Sequence, residues 1–218
     1  ACAQPCRYQY ALVEEKRPGE YFPVFEEAGE TYIMNSRDMC MIGHIPELLE
    51  AGLDSLKIEG RAKSAYYAAV VTGAYRHAVD AALAGEPLDP VWAAEVDKVS
   101  HRPWSTGFYY GQPGQYTGDA RYIRDFQVCA VVVSCDGAGE AVLSLRNKFS
   151  AGDEVELIGP GLRPVRFTAP RMEDMDGYPL DQPKKPEMTF RMRLPIPVKP
   201  LSILRRQVDL SPRGSRSE

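Results

Sequence analysis

Apolar positions along this chain keep one rhythm before residue 125 and another after it. From Ala65 to about Ala84 they recur at Tyr67, Val70, Val71, Ala74, Ala78 and Ala81-Ala82, the spacing of an amphipathic helix. Ser64 stands where an N-cap is expected, and Gly85-Glu86-Pro87 closes the helix. Upstream, Thr31-Tyr-Ile-Met34 and Ser55-Leu-Lys-Ile-Glu59 are short β-prone runs ended by Asn35-Ser36 and by Gly60. Between them Asp38 to Ala51 predicts a further helix, with Leu48 and Leu49 on its apolar face and Gly52 as its stop. Strand–helix–strand–helix order predicts parallel strands with covering helices.

Beyond residue 125 the runs shorten. Val128–Val133, Ala141–Leu145, Glu154–Ile158, Val165–Thr168 and Met188–Leu194 read as strands. Turns separate them at Asp136-Gly-Ala-Gly139, Ala151-Gly152-Asp153, Gly159-Pro-Gly161 and Asp176-Gly177. Strands this short and evenly spaced predict a small closed barrel. No pair of acids, thiols or His stands out in this half, which predicts a binding or docking module. Residues 86–125 are broken by Pro and Gly and predict a linker, with one short helix at Trp92 to Val99. Trp104, Phe108, Tyr109 and Tyr110 would anchor that linker. The chain is therefore α+β: strand–helix units over 1–85, linker 86–125, all-β domain 126–206 and tail 207–218.

Composition adds bounds. A hydrophobic content of 44% and a charged content of 26% are those of an ordinary globular protein. The longest apolar runs are strand-length, too short for a membrane span. Five Cys, an odd number at low density, fit a reducing, cytoplasmic setting. Charge is uneven: residues 1–125 carry 12 basic against 18 acidic side chains, and residues 126–206 carry 12 against 10. The second half can face a polyanion, although the bias is small. The chain has no initiator Met and opens on Cys2-Ala-Gln-Pro-Cys6, so it reads as a piece of a longer protein. Two thiols at this spacing can hold one edge of a metal or cluster site but cannot complete a four-thiolate site.

Ligands of parallel α/β layouts meet the carboxyl ends of the strands. Two such ends are visible, at Asn35-Ser36-Arg37-Asp38 and at Lys57 to Ser64. In the second, Lys57 and Glu59 share one side of a strand. Arg61, Lys63 and Ser64 gather at a helix N-terminus, a natural seat for a carboxylate or phosphate. The competing reading makes Lys57 and Glu59 an internal ion pair and Arg61 a turn cap. Cys40 reads as a buried small apolar residue, and Cys129 and Cys135 as core or turn residues. His44, His77 and His101 form no close metal-binding pair, and His44, near Asn35 and Asp38, is a candidate base.

Several landmarks together carry a resemblance. They are Ala1-Cys-Ala-Gln-Pro-Cys-Arg7, Arg17-Pro-Gly-Glu20, Tyr32-Ile-Met-Asn-Ser-Arg-Asp38, Ser55-Leu-Lys-Ile-Glu-Gly-Arg61, Lys63-Ser-Ala-Tyr-Tyr67 and Arg146-Asn-Lys-Phe-Ser-Ala-Gly-Asp153. In this order the chain resembles the collagenase-like U32 peptidase family, and most resembles its prephenate-dependent tRNA uridine 5-hydroxylase branch. The resemblance implies that residues 1–85 are the terminal strand–helix units of an incomplete TIM-like barrel. It implies a [4Fe–4S] cluster, with Cys2 and Cys6 as two of its four ligands, and prephenate as co-substrate. Wobble uridine of tRNA would be the substrate, with a partner protein of the same family. Lys57 and Glu59 would then be catalytic, with Asn35, Arg61, Lys63 and Ser64 binding substrate. The alternatives are a collagenase-like peptidase, or hydroxylation of another RNA or of a quinone. Neither Gly-x-Ser-x-Gly nor His-Glu-x-x-His occurs in the sequence.

Overall fold

The computed structural model describes residues 11–16, 18–27, 30–32, 36–114 and 122–208. The chain divides into two compact units, Ala1–Met41 with His101–Ile123, and Ile42–Ser100 with Arg124–Glu218.

The first unit is built from short pairings. Strands β1 (Ala11–Val13) and β2 (Tyr21–Pro23) are antiparallel, as are β3 (Phe25–Glu27) and β4 (Glu30–Tyr32), while β5 (Asp38–Met39) runs parallel to β6 (Trp104–Ser105). The strand predicted at Thr31–Met34 is corrected here. Its first two residues belong to β4, antiparallel to β3 rather than beside a parallel neighbour. The Asp38 carboxylate accepts the Arg102 amide at 3.0 Å, and buried His101 stacks on Trp104 at 4.2 Å between ring centroids. Trp104 thus packs as expected. Phe108, Tyr109 and Tyr110 do not, being 75%, 59% and 60% exposed.

The helix predicted over Asp38–Ala51 is shorter than expected. Asp38 and Cys40 donate their amides to Pro103 and Ser105 in the β5–β6 pairing, at 3.2 and 2.9 Å. Helix α1 begins only at Ile45, after a single tight turn at Ile42–His44, and runs to Glu50. Pro46 sits in its first turn, where the missing N–H costs nothing.

In the second unit, α2 (Ala65–Leu83) and α3 (Pro90–Glu95) precede eight strands. These are β7 (Phe126–Cys135), β8 (Glu140–Leu145), β9 (Glu154–Gly159), β10 (Leu162–Thr168), β11 (Met172–Glu173), β12 (Pro179–Leu180), β13 (Thr189–Arg193) and β14 (Ile203–Gln207). They form one antiparallel sheet in the order β10-β9-β14-β7-β8-β13-β11-β12. Alternation puts Phe190 and Met192 of β13 on the same side as Ala141, Leu143 and Leu145 of β8. Every strand sends apolar side chains into one core around Leu143, Phe149, Leu157, Met172, Phe190 and Leu204, so the sheet curls about it. The ladder ends at β10 and β12, which do not pair with each other among the described residues.

The turn glycines are needed where they fall. Gly139 has φ +88°, and a Cβ there would lie 2.7 Å from the Leu194 carbonyl oxygen. The Gly139 carbonyl accepts the Leu194 amide at 2.8 Å, so backbone meets backbone at this turn.

The outer face of β9 and β14 is also covered. Ile158 and Ile203 pack with Val70 and Val71 of α2 and with Val99. The Val70–Val71 part of the α2 stripe is therefore buried against the sheet, at about 1.5–3 kcal/mol for each fully buried side chain. The strand predicted at Ser55–Glu59 is absent: that stretch pairs with no strand among the described residues, and Leu56 and Ile58 are 37% and 36% exposed. A parallel strand needs a ladder beside it, and none borders this stretch among the described residues.

Candidate functional site

The loop that enters α2 carries most of the chemistry expected from sequence. Ser64, with φ −77° and ψ 163°, caps the helix by accepting the Tyr67 amide at 3.2 Å. Ser64→Ala is expected to lower stability by about 1 kcal/mol, read as a shift in the denaturant midpoint with an unchanged slope. Just before it, the Lys63 amide closes a turn onto the Gly60 carbonyl at 2.9 Å. The Arg61 amide donates to Glu59 Oε1 at 2.9 Å.

The expected site residues meet different ends. Lys57 Nζ lies 4.0 Å from Glu59 Oε2, with side chains 87% and 72% exposed. This corrects the internal ion pair: the two do face one another, but in water, where such a pair is worth little. Lys63 Nζ donates to the Ser100 carbonyl at 3.0 Å and sits 5.4 Å from the Tyr67 ring centroid. Ser64 is committed to the cap. The exposed Arg61 guanidinium makes no ion pair among the described residues, so it is the group of this loop best placed to meet an anion. His44 Nδ1 is 3.0 Å from Glu47 Oε2, and His77 stacks on Trp92 at 3.7 Å. Asn35, Cys2 and Cys6 lie outside the described residues.

What anchors the first turn of α2 is a buried charge cluster that sequence reasoning missed. Glu156 of β9 and Arg205 of β14 are cross-strand partners on the sheet's outer face. Their relative exposures are 4% and 0%. Arg205 donates to Glu156 Oε2 from Nε at 3.0 Å and from Nη2 at 2.7 Å, and reaches Glu95 Oε1 at 2.7 Å. Lys98 bridges the same acids, 2.9 Å from Glu95 and 3.0 Å from Glu156. Arg166, 72% exposed on β10, donates to Glu156 Oε1 at 2.7 Å. Arg205 Nη1 also reaches the Tyr66 hydroxyl at 3.1 Å, and that hydroxyl donates to the Lys98 carbonyl at 2.9 Å.

The energetics follow from burial against pairing. Burial pushes the Glu156 carboxyl up, but hydrogen bonds from Lys98 and Arg205 overcome it and hold the group below the ordinary carboxylate range. Burial pushes the Tyr66 hydroxyl up to about 12, against the opposing pull of Arg205. Arg205 is held charged: burial lowers its pKa, and the hydrogen bond to Glu95 more than restores it. Tyr66 stands in the first turn of α2, two residues after Ser64. The cluster thereby ties the start of α2 to the sheet.

No sequence signal marks this cluster. Glu156 alternates with Val155 and Leu157, as a solvent-facing residue of a half-buried strand would. Only the helices packed across that face make it buried.

Among the described residues no group of three or more His, Cys, Asp or Glu is placed to hold a metal ion. Cys129 is fully buried in the sheet core, where burial pushes its thiol up to about 12, so it cannot serve readily as a thiolate ligand. A mainly apolar cavity of about 700 Å³ lies between α2 and the β9–β10 turn, walled by Gly73, His77, Trp92, Pro160, Leu162 and Leu201.

Comparison with known proteins places the chain. The profile of Peptidase family U32 matches residues 1–119, and that of the Peptidase family U32 C-terminal domain matches residues 124–205. The chain is 35% identical over 192 residues to tRNA hydroxylation protein P of Escherichia coli, covering 86% of this chain and 42% of that protein. It is 32% identical over 212 residues to tRNA hydroxylation protein P1 of Bacillus subtilis, covering 94% of this chain and 50% of that protein. A Porphyromonas gingivalis protein named Collagenase is 29% identical over 168 residues, 73% of this chain and 39% of that protein. The chain thus spans half or less of the length of these relatives. By both of its matched segments the chain belongs to peptidase family U32.

Proposed function

We propose that this chain works in tRNA modification, as part of an enzyme that hydroxylates the C5 position of wobble uridine. The observation that carries the reading is likeness to proteins named for tRNA hydroxylation over 86% and 94% of this chain. The loop before α2 supports it chemically: the exposed Arg61 stands beside a capped helix N-terminus, where an anionic co-substrate such as prephenate would seat its carboxylates. Lys63 supports the loop through Ser100, and Glu59 orients Lys57 or relays a proton.

The family resemblance assigns a [4Fe–4S] cluster to this enzyme. The same resemblance implies Cys2 and Cys6, which lie outside the described residues, as its two ligands from this chain. Bound there, the cluster would supply one-electron chemistry or a Lewis-acidic iron.

The test is complementation with the full-length protein in cells that lack 5-hydroxyuridine. Native protein restores the modification, measured by mass spectrometry of tRNA nucleosides. Arg61→Ala leaves it at a few per cent or less while the protein still accumulates. Full modification by Arg61→Ala sinks the anion-seat role, and none by native protein sinks the tRNA reading. Proteolysis is the second reading, favoured by the relative named Collagenase. It predicts cleavage of denatured collagen by the same purified protein.

A further inference from the structure

We propose that a recess on the sheet domain, lined by Arg146, Lys148, Lys184 and Arg206, binds the phosphodiester backbone of RNA. The proposal rests on the tRNA reading above and deepens it by naming where the nucleic acid is held.

The recess has a volume of about 360 Å³, completed by Gln127, Leu145, Asn147 and Pro186. Four cations from three separate stretches of chain meet there, and no carboxylate lines it. Two of the four are partly neutralised nearby. Arg206 donates to Asp153 at 3.0 Å, and Arg146 lies 3.9 Å from Glu187, which is 82% exposed. Lys148 and Lys184 are exposed and pair with no carboxylate among the described residues. Arg206 Nε is buried without a hydrogen-bond partner among the described residues.

The cations stand on a stiff platform. The Arg146 and Asn147 amides both donate to the Cys129 carbonyl, at 2.7 and 3.1 Å. The Asn147 side chain turns inward and donates to the Val128 carbonyl at 2.8 Å. Pinned this way, the loop presents Arg146 and Lys148 on either side of Asn147. Arg146 Nη1 is further held by Ser144 Oγ at 2.7 Å. The segment carrying Lys184 is tied to the same edge, where the Glu187 amide donates to the Leu145 carbonyl at 3.0 Å.

An exposed rim with lysines on flexible stems suits a polyanion that passes over it. A small carboxylate substrate would call for an enclosed pocket with more directional donors. Phosphate contacts from such a recess position RNA without reading its sequence. The platform therefore serves as an anchor for the body of a tRNA, and base choice is left to other residues.

The test uses full-length protein and fluorescently labelled bulk bacterial tRNA, titrated over a series of salt concentrations. Lys148→Glu with Lys184→Glu is expected to weaken binding by roughly tenfold or more, and to reduce the slope of log affinity against log salt by about 2. The control carries the same charge change outside the recess, Arg171→Glu with Arg191→Glu, and binds like native protein. Lys148→Gln with Lys184→Gln shows a smaller loss in the same direction, and thermal midpoints confirm that all variants fold. Native-like binding by the Lys148/Lys184 variants overturns the recess alone. An equal loss in the control overturns it too, because bulk charge then explains binding. No tRNA binding by native protein overturns both the recess and the tRNA reading.

Discussion

Replacing Arg205 by Ala lowers the unfolding free energy by about 3 kcal/mol, because it strips three charge-assisted hydrogen bonds from two buried carboxylates and leaves Lys98 as the cation that bridges them. Glu95 and Glu156 are 3% and 4% exposed, and Arg205 supplies three of the hydrogen bonds they receive. Lys98 still bridges the two acids after the change and Arg166 still reaches Glu156, but neither replaces the three guanidinium hydrogen bonds. Denaturant unfolding measures the loss directly. Replacing Glu95, Lys98, Glu156 and Arg205 together by Met recovers most of it, since a buried ion cluster owes little of its worth to charge as such. A loss below about 1 kcal/mol for Arg205→Ala would show that water reaches the cluster and that the α2–sheet contact is looser than described.

The pH dependence has a fixed sign. In the native protein Glu156 is held below the ordinary carboxylate range, after burial is outweighed by Lys98 and Arg205. The folded state therefore releases that proton more readily than the unfolded chain. The stability it contributes is fully present above the ordinary carboxylate pKa and is lost as pH falls through the folded value. Arg205→Ala removes much of that depression. The gap between native and variant is thus widest at neutral pH and narrows on acidification, as midpoints at a few pH values would reveal.

Cys6→Ser in the full-length protein, purified without oxygen, is expected to lose its iron and to leave tRNA without 5-hydroxyuridine. Native protein would carry about four iron and four acid-labile sulfide per chain, as four-thiolate ligation of a cubane cluster requires. A serine hydroxyl ionises far less readily than a thiol and binds soft iron poorly, so removing one ligand exposes a cluster edge to solvent. Iron analysis and the visible absorption band read the cluster independently of activity. Native iron content in Cys6→Ser would remove this residue from the ligand set. A metal-free native protein would favour proteolysis, the reading supported by the relative named Collagenase.

How much of this was legible in the sequence differs by element. Helix α2 was found almost to the residue, from Ser64 at its cap to the glycine beyond its end. Its signals are local: a hydroxyl reaching the third amide, and apolar residues spaced for one face. Five of the six longer strands of the sheet domain were also visible, with turns at Gly139, Gly152, Gly161 and Gly177, which all have positive φ. β11 and β12, at two residues each, are too short to show a period, and β14 sets its two Arg side by side after Ile203-Leu204, so it shows no alternation. Arg61, Lys63 and Ser64, the residues proposed to seat an anion, were legible as types near a helix start. Their state was not, since Lys63 and Ser64 are bound to groups that only folding brings near.

The sequence by itself determined the class of the chain, the register of α2, the alternation that builds the sheet core and the positions where the backbone must turn. Each depends on residues within a few positions of one another, where period and stereochemistry are decisive. The tertiary structure alone decided that Glu156 and Arg205 are buried, that Leu56 and Ile58 are left exposed, and that Arg146, Lys148, Lys184 and Arg206 share one recess. A charge on a strand looks the same in sequence whether water or a helix lies above it. What packs across that face sets the cost of burying the charge and the partners that offset it.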